Sequence, residues 1–207
     1  MNDLLAELDR VRRTVGSEEE RHVVELRRTY DAPVEDMWDG CTNPERIPRW
    51  FVPVSGDLRL GGRFQLEGNA GGEILQCDKP RRLGVTWEFG GQSSLVTLDL
   101  AEAGAATELC LRHAVDDDEH WATYGPGAVG VGWELALLGL AIHLRTGGSA
   151  DPEGNFMASA EGRDFMRRSA AGWGSAHAAA GVDAAVAGEA AARTGAFYAP
   201  DVQDTRS

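Results

Sequence analysis

The stretch from Val129 to Leu144 constrains the fold most, because only Glu134 and His143 interrupt an apolar segment of about four helical turns. Its apolar residues repeat at helical spacing on two stripes, formed by Trp133, Leu137, Leu140 and Leu144 and by Leu135, Leu138 and Ile142. A helix that is apolar on nearly every side must be covered on nearly every side. We therefore predict a long central helix that the rest of the chain wraps.

The segments that can cover this helix precede it in the chain. Alternating apolar residues predict a first strand over residues 22–30 and further strands from residue 57 to residue 113, separated by Gly-rich turns. Between them, residues 31–51 predict a short helix-turn-helix elbow, in which Pro33 suits a helix start and Pro48 limits the second helix. Strict alternation is typical of an antiparallel sheet with one face toward the core. The sequence thus predicts an α+β domain.

Both ends of the chain carry predicted helices outside this domain. Leu4, Leu5, Leu8 and Val11 predict an amphipathic helix over residues 3 to about 15, followed by an acidic connector. After residue 146 a linker leads into an Ala-rich tail, whose periodicity predicts a helical hairpin with Asp183 capping the second helix. We therefore divide the chain into an N-terminal helix and connector (1–21), a main domain (22–146) and a helical extension (147–207).

Charge and hydropathy exclude several classes of partner. A net charge of -13 and a pI near 4.8 argue against binding to nucleic acid or to an anionic membrane surface. The N-terminus lacks the pattern of a secretory signal, and the longest apolar run is far shorter than the roughly 20 residues that span a bilayer. We expect a cytoplasmic protein.

The chain shows no pattern for a metal or another cofactor. Cys41, Cys77 and Cys110 are odd in number and include no CxxC pair, which argues against a disulfide framework or a structural zinc site. The acidic run from Asp116 to Glu119 matches no calcium-loop spacing. Nucleophile-elbow, zincin, phosphate-loop and dinucleotide motifs are also missing, so no catalytic residue is predicted.

A series of short motifs follows in a fixed order between about His22 and Leu144. The motifs are Ala32-Pro33 through Trp38, Thr42-Asn43-Pro44 through Ile47 and Trp50, Gly61-Gly62-Arg63-Phe64, Pro80 with Arg82-Leu83 and Thr86-Trp87, Val96 to Leu100, and Gly132-Trp133 with Leu137 and Leu140. Together they give this part of the chain a resemblance to the SRPBCC or START-like superfamily and, within it, to the activator of heat-shock protein 90 ATPase homologue-like domain. It implies a helix-grip fold, in which a curved antiparallel sheet of six to seven strands wraps around a long C-terminal helix, here with an extra helical tail.

Such a fold commonly encloses an apolar cavity between sheet and helix, which makes inward-facing residues candidate ligand contacts. The predicted contacts are Trp50, Phe51, Trp87, Phe89, His113, Trp121, Trp133, Glu134 and Leu137. The alternative interpretation of each aromatic residue is that it fills the core. The corresponding alternatives for the two titratable groups are a hydrogen-bonded core histidine at position 113 and a carboxylate at position 134 that reaches solvent or an arginine.

Three functions stay open at this stage. We favour a binding protein for a small hydrophobic or aromatic molecule, without catalytic activity, in regulation or stress response. The first alternative is an enzyme of the cyclase, aromatase or dehydratase type that uses the same cavity, with His113 and Glu134 as an acid/base pair if they converge. The second is a chaperone-related or dimeric interaction module, whose terminal helices would form a homodimer interface.

Overall fold

The computed structural model describes residues 2–151 and 154–200 of the chain. Its strands are β1 (Arg12–Glu18), β2 (Arg21–Tyr30), β3 (Val54–Gly56), β4 (Arg63–Leu66), β5 (Gly71–Asp78), β6 (Arg82–Phe89), β7 (Gln92–Ala103) and β8 (Ala106–Asp116). Its α-helices are α1 (Asn2–Asp9), α2 (Val34–Thr42), α3 (Glu119–Tyr124), α4 (Gly127–Thr146), α5 (Ala160–Ala179) and α6 (Ala184–Tyr198), and a 3-10 turn spans Ile47–Arg49.

All eight strands form one antiparallel sheet in the order β1-β2-β8-β7-β6-β5-β4-β3. The register follows the alternation of the sequence, so that Leu26, Leu98 and Leu111 pair across neighbouring strands and are buried on the same face. Gly90 and Gly91 join β6 to β7 with φ values of 60° and 83°, which a two-residue hairpin of this type requires. The α+β helix-grip fold is confirmed, with eight strands in place of six to seven.

The first edge strand corrects the prediction for the N-terminus. The expected helix over residues 3 to about 15 ends at Asp9, and Arg12–Glu18 pairs with β2 as strand β1. Leu8 and Val11, which are buried at the end of α1 and just before β1, belong to the apolar stripe that suggested one continuous helix. Both residues are buried, but the backbone changes from helix to strand between Asp9 and Arg12.

Helix α4 is the predicted central helix, and it begins two residues earlier than the sequence indicated. Val131, Leu137 and Leu140 are at most 2% exposed and belong to the main core, together with the inward residues of the sheet. In the described residues this is the one helix long and apolar enough to cross a membrane, and most of it is buried inside the fold. Burial of this kind is typical of the core helix of a soluble domain.

The tail forms the predicted helical hairpin and packs on the main domain. Ser159 caps α5 and Asp183 caps α6 through side-chain oxygens that accept backbone N–H groups. Trp173 is fully buried against α4, where an added Cβ at Gly130 would lie 2.2 Å from the Trp173 ring. The predicted linker and the end of the tail include residues outside the described ranges. Helices α5 and α6 complete one side of the core.

Candidate functional site

Three aromatic side chains from distant parts of the chain meet between the sheet and α4. Phe51 follows the elbow, Trp87 lies on β6 and Trp133 lies in α4. The ring centroids of Trp87 and Trp133 are 4.9 Å apart, and those of Phe51 and Trp133 are 6.5 Å apart. These spacings are typical of attractive aromatic pairs. We call the three residues the aromatic partition, because each of them lines both of the cavities described below.

The inner chamber is a cavity of about 190 Å³ on the core side of the partition. Its walls are mostly apolar, with Leu109 and Leu111 from β8 facing Leu137 and Leu140 from α4. Trp50 also lines it, and the indole N–H of Trp50 donates to the Gly40 carbonyl at 2.9 Å. The polar tip of this ring is therefore satisfied within the elbow.

The outer chamber is a larger cavity of about 380 Å³ on the other side of the partition. Phe89 and Trp121 line it, the first largely exposed and the second buried. Helix α6 supplies two more aromatic residues, Phe197 and Tyr198, and the Tyr198 hydroxyl donates to the Ala128 carbonyl at 2.9 Å. The C-terminal hairpin thus forms one wall of this chamber.

His113 connects the partition to the sheet through a chain of hydrogen bonds. The indole N–H of Trp133 donates to His113 Nδ1 at 3.0 Å, which leaves the proton of the neutral ring on Nε2, 2.8 Å from Ser94 Oγ. The Ser94 hydroxyl donates in turn to the Trp87 carbonyl at 3.1 Å. Burial lowers the pKa of His113 to about 4. The ring is therefore neutral at pH 7 and both of its nitrogens are engaged.

Glu134 does not line either chamber, which corrects its place among the predicted ligand contacts. It is 1% exposed, and its carboxylate accepts two hydrogen bonds from the Arg13 guanidinium, at 2.5 and 3.1 Å. Burial raises the pKa of Glu134, and the Arg13 charge opposes that shift. The side chain points toward β1 and α5, so it does not converge with His113. The two residues therefore do not form the acid/base pair that the enzyme alternative requires.

The other eight predicted residues line one chamber or both. Phe51, Trp87 and Trp133 line both chambers, Phe89, His113 and Trp121 line the outer one, and Trp50 and Leu137 line the inner one. Strand alternation accounts for the inward placement of Trp87 and His113, and the helical period of α4 accounts for that of Trp133 and Leu137. Phe89 corrects the prediction of an inward face, because it lies at the end of β6 and is 62% exposed at the chamber edge. Ligand contact by these residues stays a prediction.

Sequence reasoning missed the contribution of the tail and of the acidic run to the outer chamber. Phe197 appeared only as a periodic apolar residue of the last helix, and nothing in the sequence indicates which part of the main domain it approaches. Asp116 and Asp118 line the chamber where β8 leads into α3. Across the described residues, no group of three or more His, Cys, Asp or Glu side chains is arranged to hold a metal ion.

Comparison with known proteins identifies relatives over most of the chain. The family model described as Activator of Hsp90 ATPase homolog 1-like protein matches residues 31–145. The chain is also similar to CalU16 from Micromonospora echinospora, whose crystal structure is 37% identical with a TM-score of 0.66, over 80% of this chain and 97% of that chain. The solution structure of CalU16 gives a TM-score of 0.70, over 82% and 96% of the two chains.

A more distant similarity shows the fold alone. DynU16, from the dynemicin biosynthetic locus, is 21% identical with a TM-score of 0.55, over 64% of this chain and 50% of that chain. A comparison with curated proteins gave no match. The match to CalU16 covers 80% of this chain, so it extends beyond residues 31–145, which the family model matches.

Proposed function

Since the chain belongs to the family of activator of Hsp90 ATPase homolog 1-like proteins, we propose that it binds a small hydrophobic or aromatic molecule between the sheet and α4. The observation that supports this is the pair of chambers on either side of the aromatic partition. The outer one, of about 380 Å³, falls within the roughly 300 to 1,000 Å³ range of small-molecule sites. The inner one offers an apolar surface that a ligand would remove from water.

The way in which the partition is held supports a binding role over a catalytic one. His113 and Ser94 tie Trp133 to the sheet, which fixes the rings and engages both nitrogens of His113. Glu134 is occupied by Arg13 away from the chambers. The cyclase, aromatase or dehydratase alternative therefore lacks the His113–Glu134 pair on which it depends.

We place this protein in the cytoplasm, in a regulatory or stress-related role. Three free cysteines at positions 41, 77 and 110 fit a reducing compartment. The homodimer through the terminal helices also stays a prediction.

Native mass spectrometry of the gently purified full chain, with a thermal-shift screen of apolar compounds, tests whether a ligand is bound or stabilises the fold. Naphthylmethanol serves as a defined neutral probe in isothermal titration calorimetry. Ala128 lines the outer chamber, so Ala128→Leu should fill part of it and weaken probe binding at least tenfold, about 1.4 kcal/mol.

Ala122→Leu is the matched control, because Ala122 is exposed on α3 and lines neither chamber. This variant should bind the probe as the wild type does. Equal affinity of both variants and the wild type, with thermal melts showing both variants folded, would place probe binding outside the outer chamber and would contradict its assignment as the ligand site.

A further inference from the structure

The polar groups of the outer chamber are unbalanced in charge. Among the described residues that line it are two carboxylates, Asp116 and Asp118, and neither Lys nor Arg. Asp117 lies between them, with its side chain 73% exposed. Residues 116–119 are all acidic, so the end of β8 and the start of α3 bring several negative charges to one side of the chamber.

These carboxylates are held in place by neighbouring groups. Asp118 caps α3 by accepting the Trp121 N–H at 2.7 Å, and it also accepts a hydrogen bond from Gln92 at 2.7 Å. The Trp121 N–H in particular lowers the pKa of Asp118. Asp116 binds Arg21 at 2.9 Å through one oxygen, in a pair that is largely open to solvent. His22 Nε2 lies 3.1 Å from Asp117, and His120 lines the chamber next to Asp118 in the chain. Among the described contacts of residues 116–119, Arg21 is the one Arg or Lys, so it offsets only part of their negative charge.

Aromatic rings supply the other half of a cation site. Phe89 lines the chamber beside the β6–β7 hairpin, and Phe197 and Tyr198 line it from α6. Trp121 also lines it, with one face of its ring stacked on His22 at 4.2 Å between centroids. The face of an aromatic ring carries negative electrostatic potential and attracts an ammonium or guanidinium group within about 6 Å of its centroid. A chamber with aromatic walls and a carboxylate edge therefore stabilises a cation that keeps an apolar body.

We infer that the outer chamber selects ligands that carry an ammonium group on an aromatic or apolar body over their neutral and carboxylate analogues. This inference rests on the proposed function, because it names the chemical class that the same site takes. The body of the ligand lies against the partition, and the ammonium group lies toward Asp116 and Asp118. A carboxylate in the same position would meet two like charges without a compensating Lys or Arg among the described lining residues.

Three probes of the same shape test the preference: naphthylmethylamine, naphthylmethanol and naphthoate. Their dissociation constants are measured by isothermal titration calorimetry with the full chain at about 150 mM salt, where long-range charge effects are screened beyond about 8 Å. We expect the amine to bind at least tenfold more tightly than the carboxylate and severalfold more tightly than the alcohol.

Asp116→Asn and Asp118→Asn test whether the preference comes from the chamber. Asparagine keeps a capping oxygen at position 118, so the start of α3 is preserved. Each variant should reduce the ratio of amine to alcohol affinity at least threefold and leave alcohol binding nearly unchanged. Glu102→Gln is the control for net charge, because Glu102 is exposed near the far end of β7, ten residues or roughly 30 Å along the strand from Gln92.

The outcomes separate the inference from the function on which it rests. Binding of the alcohol with no gain for the amine, or tightest binding of the carboxylate, overturns the inference while the proposed function stands. An equal loss of amine preference in Glu102→Gln and Asp116→Asn also overturns it, because net charge would then explain the effect. Failure of all three probes to bind overturns both.

Discussion

At the scale of single residues, the site depends on how each polar side chain is satisfied. Alternation along β8 correctly places His113 inward, and its hydrogen bonds agree with the interpretation of this residue as a hydrogen-bonded core histidine. Its partners Trp133 and Ser94 could not be predicted, because they come from α4 and β7 and meet it only in the folded chain. The same limit applies to Glu134, since an apolar helix does not reveal which side faces a cavity and which faces Arg13.

The depressed pKa of His113 predicts that stability falls as the pH is lowered. The unfolded chain takes up a proton near pH 6.5, whereas the folded ring does so only near pH 4. The contribution is thus fully present above about pH 6.5 and is lost progressively as the pH falls toward 4. Between about pH 7.5 and pH 5 it amounts to on the order of 2 kcal/mol. Urea denaturation at the two pH values measures it.

His113→Gln isolates this effect, because glutamine can still accept from Trp133 and donate to Ser94 but does not titrate. The variant should lose about 2 kcal/mol less than the wild type over that range. Burial also lowers the pKa of His177. His177 is present in both proteins, so its contribution to the pH dependence cancels in the difference between them. His120→Gln, at an exposed position, should keep the dependence of the wild type. An identical dependence in His113→Gln would contradict the prediction.

At the scale of elements, the sequence predicts best where one periodicity is strong. The strands from β4 to β8 and helix α4 follow clear apolar patterns, so they could be located from the sequence. Strand β1 could not be located from the sequence. Its side chains are half-buried at Arg13 and Val15 and exposed elsewhere, so this edge strand shows no alternation of apolar residues. The pairing that makes it a strand is supplied by β2.

The contact between α4 and α5 depends on the absence of a side chain at Gly130. A Cβ there would lie 2.2 Å from Trp173 Cε2, and Trp173 is fully buried and cannot move aside without disturbing the core. We expect Gly130→Ala to lower the free energy of unfolding by about 1–3 kcal/mol, despite the better helix propensity of alanine. Urea denaturation followed by circular dichroism measures the change.

Gly188→Ala is the matched control in a second helix. An added Cβ at Gly188 meets no atom within 4 Å, so this variant should gain about 0.5–1 kcal/mol from helix propensity alone. A stabilised Gly130→Ala variant would mean that α4 and α5 pack less closely than described.

At the scale of the whole molecule, the tail belongs to the same core as the sheet. The change of composition after Leu144 predicts a separate extension over residues 147–207, and the hairpin that it predicts is present. The sequence could not reveal where the hairpin packs, because Ala-rich faces fit many partners. Phe165 packs with Leu8 and Leu138, Trp173 packs on α4, and Phe197 and Tyr198 wall the outer chamber.

A fragment of residues 1–148 should therefore fail to fold cooperatively. Removal of α5 exposes the side of α4 that carries Leu138, which is 3% exposed in the full chain, and it uncovers the Arg13–Glu134 ion pair. Each large apolar side chain returned to water costs about 1.5–3 kcal/mol, against a total stability of about 5–15 kcal/mol for a typical domain. Circular dichroism and urea denaturation compare the fragment with the full chain under the same conditions. A cooperative transition with the stability of the full chain would contradict this prediction and would mean that the hairpin does not stabilise the main domain. In that case the hairpin would be free to pack against a second copy of the chain, as the homodimer alternative requires.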